Sequence, residues 1–419
     1  MILKEELKRV IRSHQDQLQK DLGVPRDTTP RPQPKFATII TGVRRCGKST
    51  LARQALKDTK PVYYISFEDI NLAEFELKDF TRLDQAFKET LGEDGTYLLD
   101  EIQNVDSWEK YVRQLVDRGE KAIITGSNAT MLSKELGTRL TGRHLSRELY
   151  PFSYHEFLKL KGSEPGPARF TEYLQKGGFP EYLKTDNDDI IKNLFHDVFY
   201  RDVLQRNELR NEKAIKTLIH YLLSNIGKET SYNKLKHLID VGSVNTVSQF
   251  IDHLEQAYLL FAIRKYDPSL KKQLVNPKKI YCVDTAIIRQ NAFTFSENKG
   301  RMLENAAFIE LKRRGEEVYY HKGAHECDFL TKQRTRITQA IQACWELTPE
   351  NERRELEGLK EAMDTHGLDE GLILTHDQED ELEDEGRRIR VRPMWKWMLD
   401  EPDGDAAREG NDTRGKKKR

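Results

Sequence analysis

The spacing of apolar and polar positions changes several times along this chain, and each change marks a new unit. Residues 1–20 carry Ile2, Leu3, Leu7, Val10, Ile11 and Leu18 near helical spacing, which predicts an opening helix. Pro25, Pro30, Pro32 and Pro34 then mark a connector, so residues 1–34 read as an N-terminal helix and linker. From Phe36, short apolar runs alternate with helical stretches: FATIIT, a helix from Lys48, PVYYISF, a helix near 80–91, TYLLD, a helix near 107–118, KAIITGS and GRHLSREL. This alternation predicts an α/β unit whose mostly parallel sheet is joined by right-handed crossovers. After PFSYHEFL the helical pattern dominates to about residue 210, and the unit is assigned to 35–210.

A second pattern begins near Asn211. Three apolar helical stretches (214–226, 232–239 and 244–258), separated by GKETS and DVGS, precede the strand-like runs LLFAIRKY and KKIYCVD. Three helices followed by a two-stranded ribbon is the order of a winged helix, assigned to 211–299. From Gly300 a helix, three strands, a helix and a further strand predict a compact α/β layer over 300–400. Within it, DQEDELEDEG reads as a solvated acidic run. Residues 401–419 lack the apolar content to pack and read as a disordered tail.

Composition narrows the setting. The 419 residues hold 69 Lys+Arg and 69 Asp+Glu, so any attraction to nucleic acid must be regional. Cys46, Cys282, Cys327 and Cys344 form no CxxC pair, which argues against a disulfide scaffold or a zinc ribbon and for a reducing cytoplasm. No stretch approaches the roughly 18 apolar residues of a membrane span, so no membrane partner is expected.

The sharpest chemistry lies in Gly42-Val43-Arg44-Arg45-Cys46-Gly47-Lys48-Ser49-Thr50, which fits GxxxxGK[ST] between an apolar strand and a helix. In such a loop the backbone NH groups turn inward on phosphates, the lysine reaches the β and γ phosphates of ATP, and the serine offers a ligand to Mg²⁺. About fifty residues on, TYLLDE ends a strand in adjacent carboxylates, placing Asp100 to hold hydrated Mg²⁺ and Glu101 to polarise an attacking water. The following strand ends in Ser127-Asn128, either of which is positioned to feel the γ phosphate. Arg139 and Arg143 flank the start of the next strand, where a guanidinium can protrude toward a neighbouring subunit's nucleotide.

Together GVRRCGKST, LLDEIQNVDSW, ITGSNATML, LTGRHLSRELYPFSYHEFL, GGFPEYL and NPKKIYCVDTAI resemble the bacterial and archaeal AAA-type ATPases that carry a C-terminal domain of unknown function. The resemblance spans about residues 35–400 and implies an ATPase, a winged helix and a domain like the PD-(D/E)xK nucleases, with links to DNA. It also implies assembly as a homo-oligomer, such as a ring, in which Arg143 would meet a partner's site.

Metal-dependent cleavage in a nuclease-like domain needs hard oxygen ligands and a lysine. Glu304 and Asp328 match the first two positions, but the third strand reads Gln342-Ala343-Cys344, and Glu346 on the same period has no accompanying lysine. The expectation is a nuclease-derived fold without cleavage. Residues 201–280 hold 14 Lys+Arg against 8 Asp+Glu, an excess that favours phosphate backbones. Lys234, Lys236, Arg264, Lys265, Lys271 and Lys272, with Lys278 and Lys279, are assigned to this DNA-facing surface, and Ser243, Asn245, Thr246 and Gln249 to the third helix's exposed face. Two functions follow: an ATPase that binds and remodels duplex or branched DNA, or an ATP-dependent switch acting through protein contacts.

Overall fold

A computed structural model describes residues 2–18, 20–129, 140, 142–292, 299–384 and 386–400. The calls on Arg139 and on 401–419 lie outside the described residues. Five parallel strands, β1 (Ala37–Thr41), β2 (Val62–Ser66), β3 (Thr96–Asp100), β4 (Ala122–Gly126) and β5 (His144–Glu148), form one sheet in the order β2-β3-β4-β1-β5. Every residue of β1, β3 and β4 is buried, because helices cover both faces and the strands must be apolar on both sides. The polar run HLSRE tolerates β5 because this strand is an exposed edge.

The opening helix, Lys4–Leu18, is part of this unit and not a separate appendage. It buries Leu7, Val10 and Ile11 with Ile39, Tyr63 and Ile65 in one apolar core, and His14 bonds Asp69 at 2.9 Å. Four further helices, Tyr154–Lys161, Pro167–Lys176, Pro180–Thr185 and Asp188–Asp197, lead into a π-helical segment, Val198–Gln205.

Helices Glu212–Ser224, Tyr232–Leu238 and Val244–Gln256 then precede the antiparallel ribbon of β7 (Leu260–Lys265) and β8 (Lys278–Cys282), with the two-residue β6 (Glu229–Thr230) on its flank. The helix-helix-helix-ribbon order is present, but the ribbon is not a free wing. Strand β7 also pairs in parallel with β9 (Glu317–Lys322), through Arg264↔Tyr319 and Lys265↔Tyr320. With β10 (Glu326–Gln333), β11 (Arg336–Ala343), β12 (Glu370–Thr375), β13 (Asp380–Asp384) and β14 (Arg387–Pro393) this makes a nine-stranded sheet, ordered β13-β14-β12-β11-β10-β9-β7-β8-β6. The expected seam at residue 300 therefore falls inside one sheet. Periodicity identifies strands but says nothing of partners far along the chain.

The acidic run is a second correction. Residues 380–384 are strand β13, whose Glu381, Glu383 and Asp384 stand opposite Arg390, Arg388 and Arg387 of β14. Opposite charges across a ladder stabilise an edge strand that remains exposed.

One apolar cluster runs from Ile40 and Val43 beside the phosphate loop, through Leu218 and Ile251, to Phe329 and Met394. Phe308, on helix Lys299–Arg313, is its joint: it stacks on Tyr281 of β8 at 4.5 Å and meets Phe261 of β7 at 5.7 Å. Phe308→Ala should cost about 3–5 kcal/mol in urea denaturation, and Phe308→Leu distinctly less. A loss within about 1 kcal/mol for the alanine variant would show that the two halves do not share this core.

Candidate nucleotide site

The loop after β1 folds as its sequence demands. Gly42 lies at φ 154°, and a Cβ there would meet the Leu149 carbonyl oxygen at 2.1 Å, so only glycine lets the chain pass. Gly47, at φ 102°, caps helix Lys48–Ala55, whose first turn points its free NH groups into the loop. Lys48 is buried beneath it, with Nζ 3.3 Å from Glu101 Oε1 and donating to the Val43 carbonyl at 3.2 Å. Burial alone would favour the neutral amine, but Glu101 and neighbouring acids outweigh it and hold the ammonium above its usual pKa.

Ser49, Asp100 and Glu101 meet at the carboxyl ends of β1 and β3, where open α/β sheets take their ligands. Ser49 Oγ donates to Asp100 Oδ1 at 2.8 Å, and Thr125 Oγ1, from β4, donates to the same oxygen at 2.5 Å. Burial and the adjacent Glu101 push the Asp100 carboxyl up to about 6. Burial also pushes Glu101 up, but Lys48 and Gln103 prevail and leave it below the ordinary range. Glu101 adopts a left-handed backbone, φ 50° and ψ 44°, a strained conformation of the kind found at functional sites. Hydroxyl and carboxylate oxygens side by side fit hydrated Mg²⁺, which would be held by Ser49 and Asp100.

Ser127 and Asn128 are both buried at the end of β4, and Gln103 joins Ser127 to Glu101, donating to Glu101 Oε2 at 2.5 Å and to Ser127 Oγ at 3.4 Å. Arg44 and Arg45 turn their side chains outward. Arg44 binds Asp202 of the π-helical segment at 3.0 Å and Glu68 at 2.8 Å, and Arg45 binds Asp197 at 3.1 Å. Both also line the cleft that opens at Lys48 and Ser49. Cys46 is buried, which raises its thiol pKa, and its Sγ donates to Leu149 O at 3.4 Å.

Several residues that motif spacing did not single out complete the site. Arg26, within the proline-rich connector, is buried and forks into three contacts: Glu156 at 2.8 Å, the Cys46 carbonyl at 2.9 Å and the Tyr150 carbonyl at 2.7 Å. It fixes the phosphate loop to the helical extension. An open cleft of about 870 Å³ starts at Lys48 and Ser49 and runs between Val24, Phe152, Pro180 and Arg201. The connector is thus one wall of the cleft. Tyr258, at φ 58° before β7, bonds Thr41 Oγ1 at 2.8 Å and Glu148 Oε1 at 3.1 Å, tying the downstream helices to the end of β1. A proline-rich segment and a lone tyrosine carry no local signature of these contacts.

The remaining expected residues lie apart. Arg143 precedes β5 at the end of the sheet opposite the loop, where it bonds Asp117, so it cannot serve its own nucleotide. Lys234, Arg264, Lys271 and Lys272 are exposed, and Lys236 and Lys265 half-buried. Lys278 and Lys279 are buried, against the expectation of a basic wing. Ser243 is spent on capping its own helix, accepting Thr246 N at 3.1 Å, while Asn245 and Gln249 face out. Glu304 and Asp328 converge, but on a lysine, and Glu346 falls beyond β11 and is exposed.

An AAA domain model matches residues 34–158, and a model of a domain of unknown function, DUF8612, matches 167–297. An uncharacterized protein of Methanocaldococcus jannaschii is 34% identical over 401 residues, spanning 87% of this chain and 89% of its own. An uncharacterized protein of Haemophilus influenzae is 31% identical over 386 residues, spanning 87% and 94%. The chain belongs to the family of these proteins. The likeness to both extends over nearly the whole length of each protein. Among solved structures, AMPPCP-bound DnaA from Aquifex aeolicus shares 13% identity (61% of this chain, 89% of that one, TM-score 0.27), and Cdc6p from Pyrobaculum aerophilum 13% (62% and 86%, TM-score 0.24). Likenesses this slight decide neither fold nor ligand.

Arg26 is the residue through which loop geometry is best tested. Breaking its buried pair with Glu156 in Arg26→Ala should destabilise the protein by about 3–5 kcal/mol in chemical denaturation. Arg26→Lys should recover little of this, because an ammonium cannot fork to three acceptors. Full recovery by lysine would reduce Arg26 to a simple charge.

Proposed function

We propose that this protein binds and hydrolyses ATP with Mg²⁺, and that its C-terminal half contacts DNA, which hydrolysis then moves or remodels. The observation that carries the first part is the convergence of Lys48, Glu101, Ser49, Asp100 and Thr125 at the carboxyl ends of three adjacent strands. In the nucleotide-free protein Lys48 neutralises Glu101. A nucleotide's phosphates draw the ammonium to themselves, and Glu101 is released to orient water. Thr125 keeps the Asp100 oxygens aligned, and Asn128 or Ser127 completes the polar wall facing the γ phosphate. Bound Mg²⁺ would supply charge neutralisation between the phosphates. Phosphoryl transfer asks for little besides positioning and charge, which these groups provide.

Glu101→Gln should retain ATP while turnover falls about a hundredfold or more, since the amide cannot take a proton. Turnover at the parent rate in this variant would remove Glu101 from the chemistry. Arg143, at the far edge of the sheet, suits a role in a neighbouring subunit, and we place the protein in homo-oligomers on that basis. Among the described residues no helix is long and apolar enough to cross a membrane. The four cysteines are buried and unpaired, which accords with a reducing cytoplasm.

DNA contact is supported by the regional excess of positive charge and by the tip of the β7–β8 ribbon. There Lys271 and Lys272 stand beside Leu270, Leu274 and Val275, which are 62%, 55% and 74% exposed. Lysines beside apolar side chains suit a phosphate backbone and an opened groove. The same apolar tip also suits a protein partner, which is the second reading, an ATP-driven switch without DNA.

The deciding experiment is ATP turnover with no DNA, linear duplex, single strand and a four-way junction, at two salt concentrations. DNA should stimulate turnover, the effect should fall steeply with salt, and the double variant Lys271→Glu, Lys272→Glu should lose it while keeping basal turnover. Turnover indifferent to every DNA would transfer the function to the switch.

A further inference from the structure

Buried Glu304 and Asp328 and half-buried Glu326 bring three carboxylates together, where nuclease-like chemistry would require a divalent metal. Their arrangement does not fit one. Lys279, reaching in from β8, places Nζ 2.7 Å from Glu326 Oε1, 2.8 Å from Asp328 Oδ1 and 3.3 Å from Glu304 Oε1. Its side chain is only 1% exposed, and its ammonium lies 5.8 Å above the Tyr320 ring. The ammonium thus stands between the oxygens that a metal would have to gather at about 2.0–2.6 Å.

The remaining donors are committed elsewhere. Tyr281 donates to Glu304 Oε1 at 2.6 Å, and Ala343 N donates to Asp328 Oδ2 at 3.1 Å. Gln342, at the third ligand position, accepts Asp328 N through its carbonyl at 3.1 Å and donates through its amide to Glu355 at 2.6 Å. A Cβ at Gly227 would lie 2.6 Å from Glu304 Oε2, so that side is closed by backbone. Among the described residues no group of His, Cys, Asp and Glu has a geometry able to hold a metal ion. Burial alone would strip Lys279 of its proton, yet Asp328 and Glu304 hold its pKa well above the ordinary value.

We propose that the Lys279 ammonium is the resident cation of this cluster, a tethered substitute for a divalent metal that keeps the C-terminal layer metal-free and pins it to the ribbon. Because the lysine comes from β8 and the carboxylates from β10 and helix Lys299–Arg313, the ion cluster joins the two halves that the sequence pattern separates. Breaking a buried pair by removing one partner leaves charge uncompensated, so the cluster without its lysine must find another cation or neutralise. The inference is independent of whether DNA or protein is the partner.

The test uses Mn²⁺ on the full-length, nucleotide-free protein carrying Ser49→Ala, which removes a metal ligand from the nucleotide site. Binding is read by calorimetry and electron paramagnetic resonance, and stability by thermal unfolding. The parent should take up no Mn²⁺ at the cluster. Lys279→Met should gain one Mn²⁺ per chain, melt higher in its presence, and lose both effects when Asp328→Asn is added. Either a parent site that Asp328→Asn abolishes or a folded Lys279→Met that gains no site would overturn the proposal. Should Lys279→Met fail to fold without metal, refolding by Mn²⁺ supports the proposal and failure to refold counts against it, and the parent titration stands on its own.

Discussion

Two residues of parallel pairing hold this molecule in its present form. Where Arg264 and Lys265 of β7 meet Tyr319 and Tyr320 of β9, a two-stranded ribbon becomes the continuation of a six-stranded layer's edge. So short a ladder would be marginal by itself. It persists because Tyr266 N adds a bond to Tyr320 O at 2.9 Å, Phe308 and Tyr281 stack beneath it, and the Lys279 ammonium is shared across it. The ribbon therefore cannot swing as a free wing, and whatever its tip binds acts on the whole C-terminal half.

The same economy of buried charge joins that half to the nucleotide unit. Asp284, just after β8, accepts Gly178 N at 2.7 Å and Ala286 N at 2.8 Å, while burial pushes its carboxyl up to about 7. Gly177 admits no side chain, since a Cβ would meet Asp284 Oδ1 at 1.9 Å. The segments GGFPEYL and NPKKIYCVDTAI, a hundred residues apart, are thus two sides of one contact. Tyr258 makes a second, onto Thr41 at the mouth of the phosphate loop. Through these two contacts the mouth of the loop and the residues that anchor the ribbon are held in one packed unit.

At the loop itself, charges are paired in a way that nucleotide would rearrange. Lys48 and Glu101 are held together at the centre, and Arg44 clasps Asp202 and Glu68 at the rim. Buried pairs of this kind add little net stability, because desolvation offsets attraction, but losing one partner is costly. They are suited to exchanging partners, as Lys48 would on meeting a phosphate.

What the sequence determined by itself was local. The phosphate loop, the strand ending in Asp100-Glu101, the parallel α/β alternation and the three helices before a ribbon were all legible, because each rests on short-range backbone rules: glycine where φ is positive, an apolar strand before it, helical period after it. The meeting of Lys48 with Glu101 and of Ser49 with Asp100 accords with that spacing. Only the tertiary structure decided the rest. It made the acidic run an edge strand by facing it with arginines, moved Lys278 and Lys279 from surface to interior, and gave Arg26 a place at the phosphate loop. Lys279 and Asp328 are 49 positions apart, and Arg26 and Glu156 are 130. No period or motif encodes partners at such distances, because burial and the demand that every buried charge be paired act only once the chain has folded.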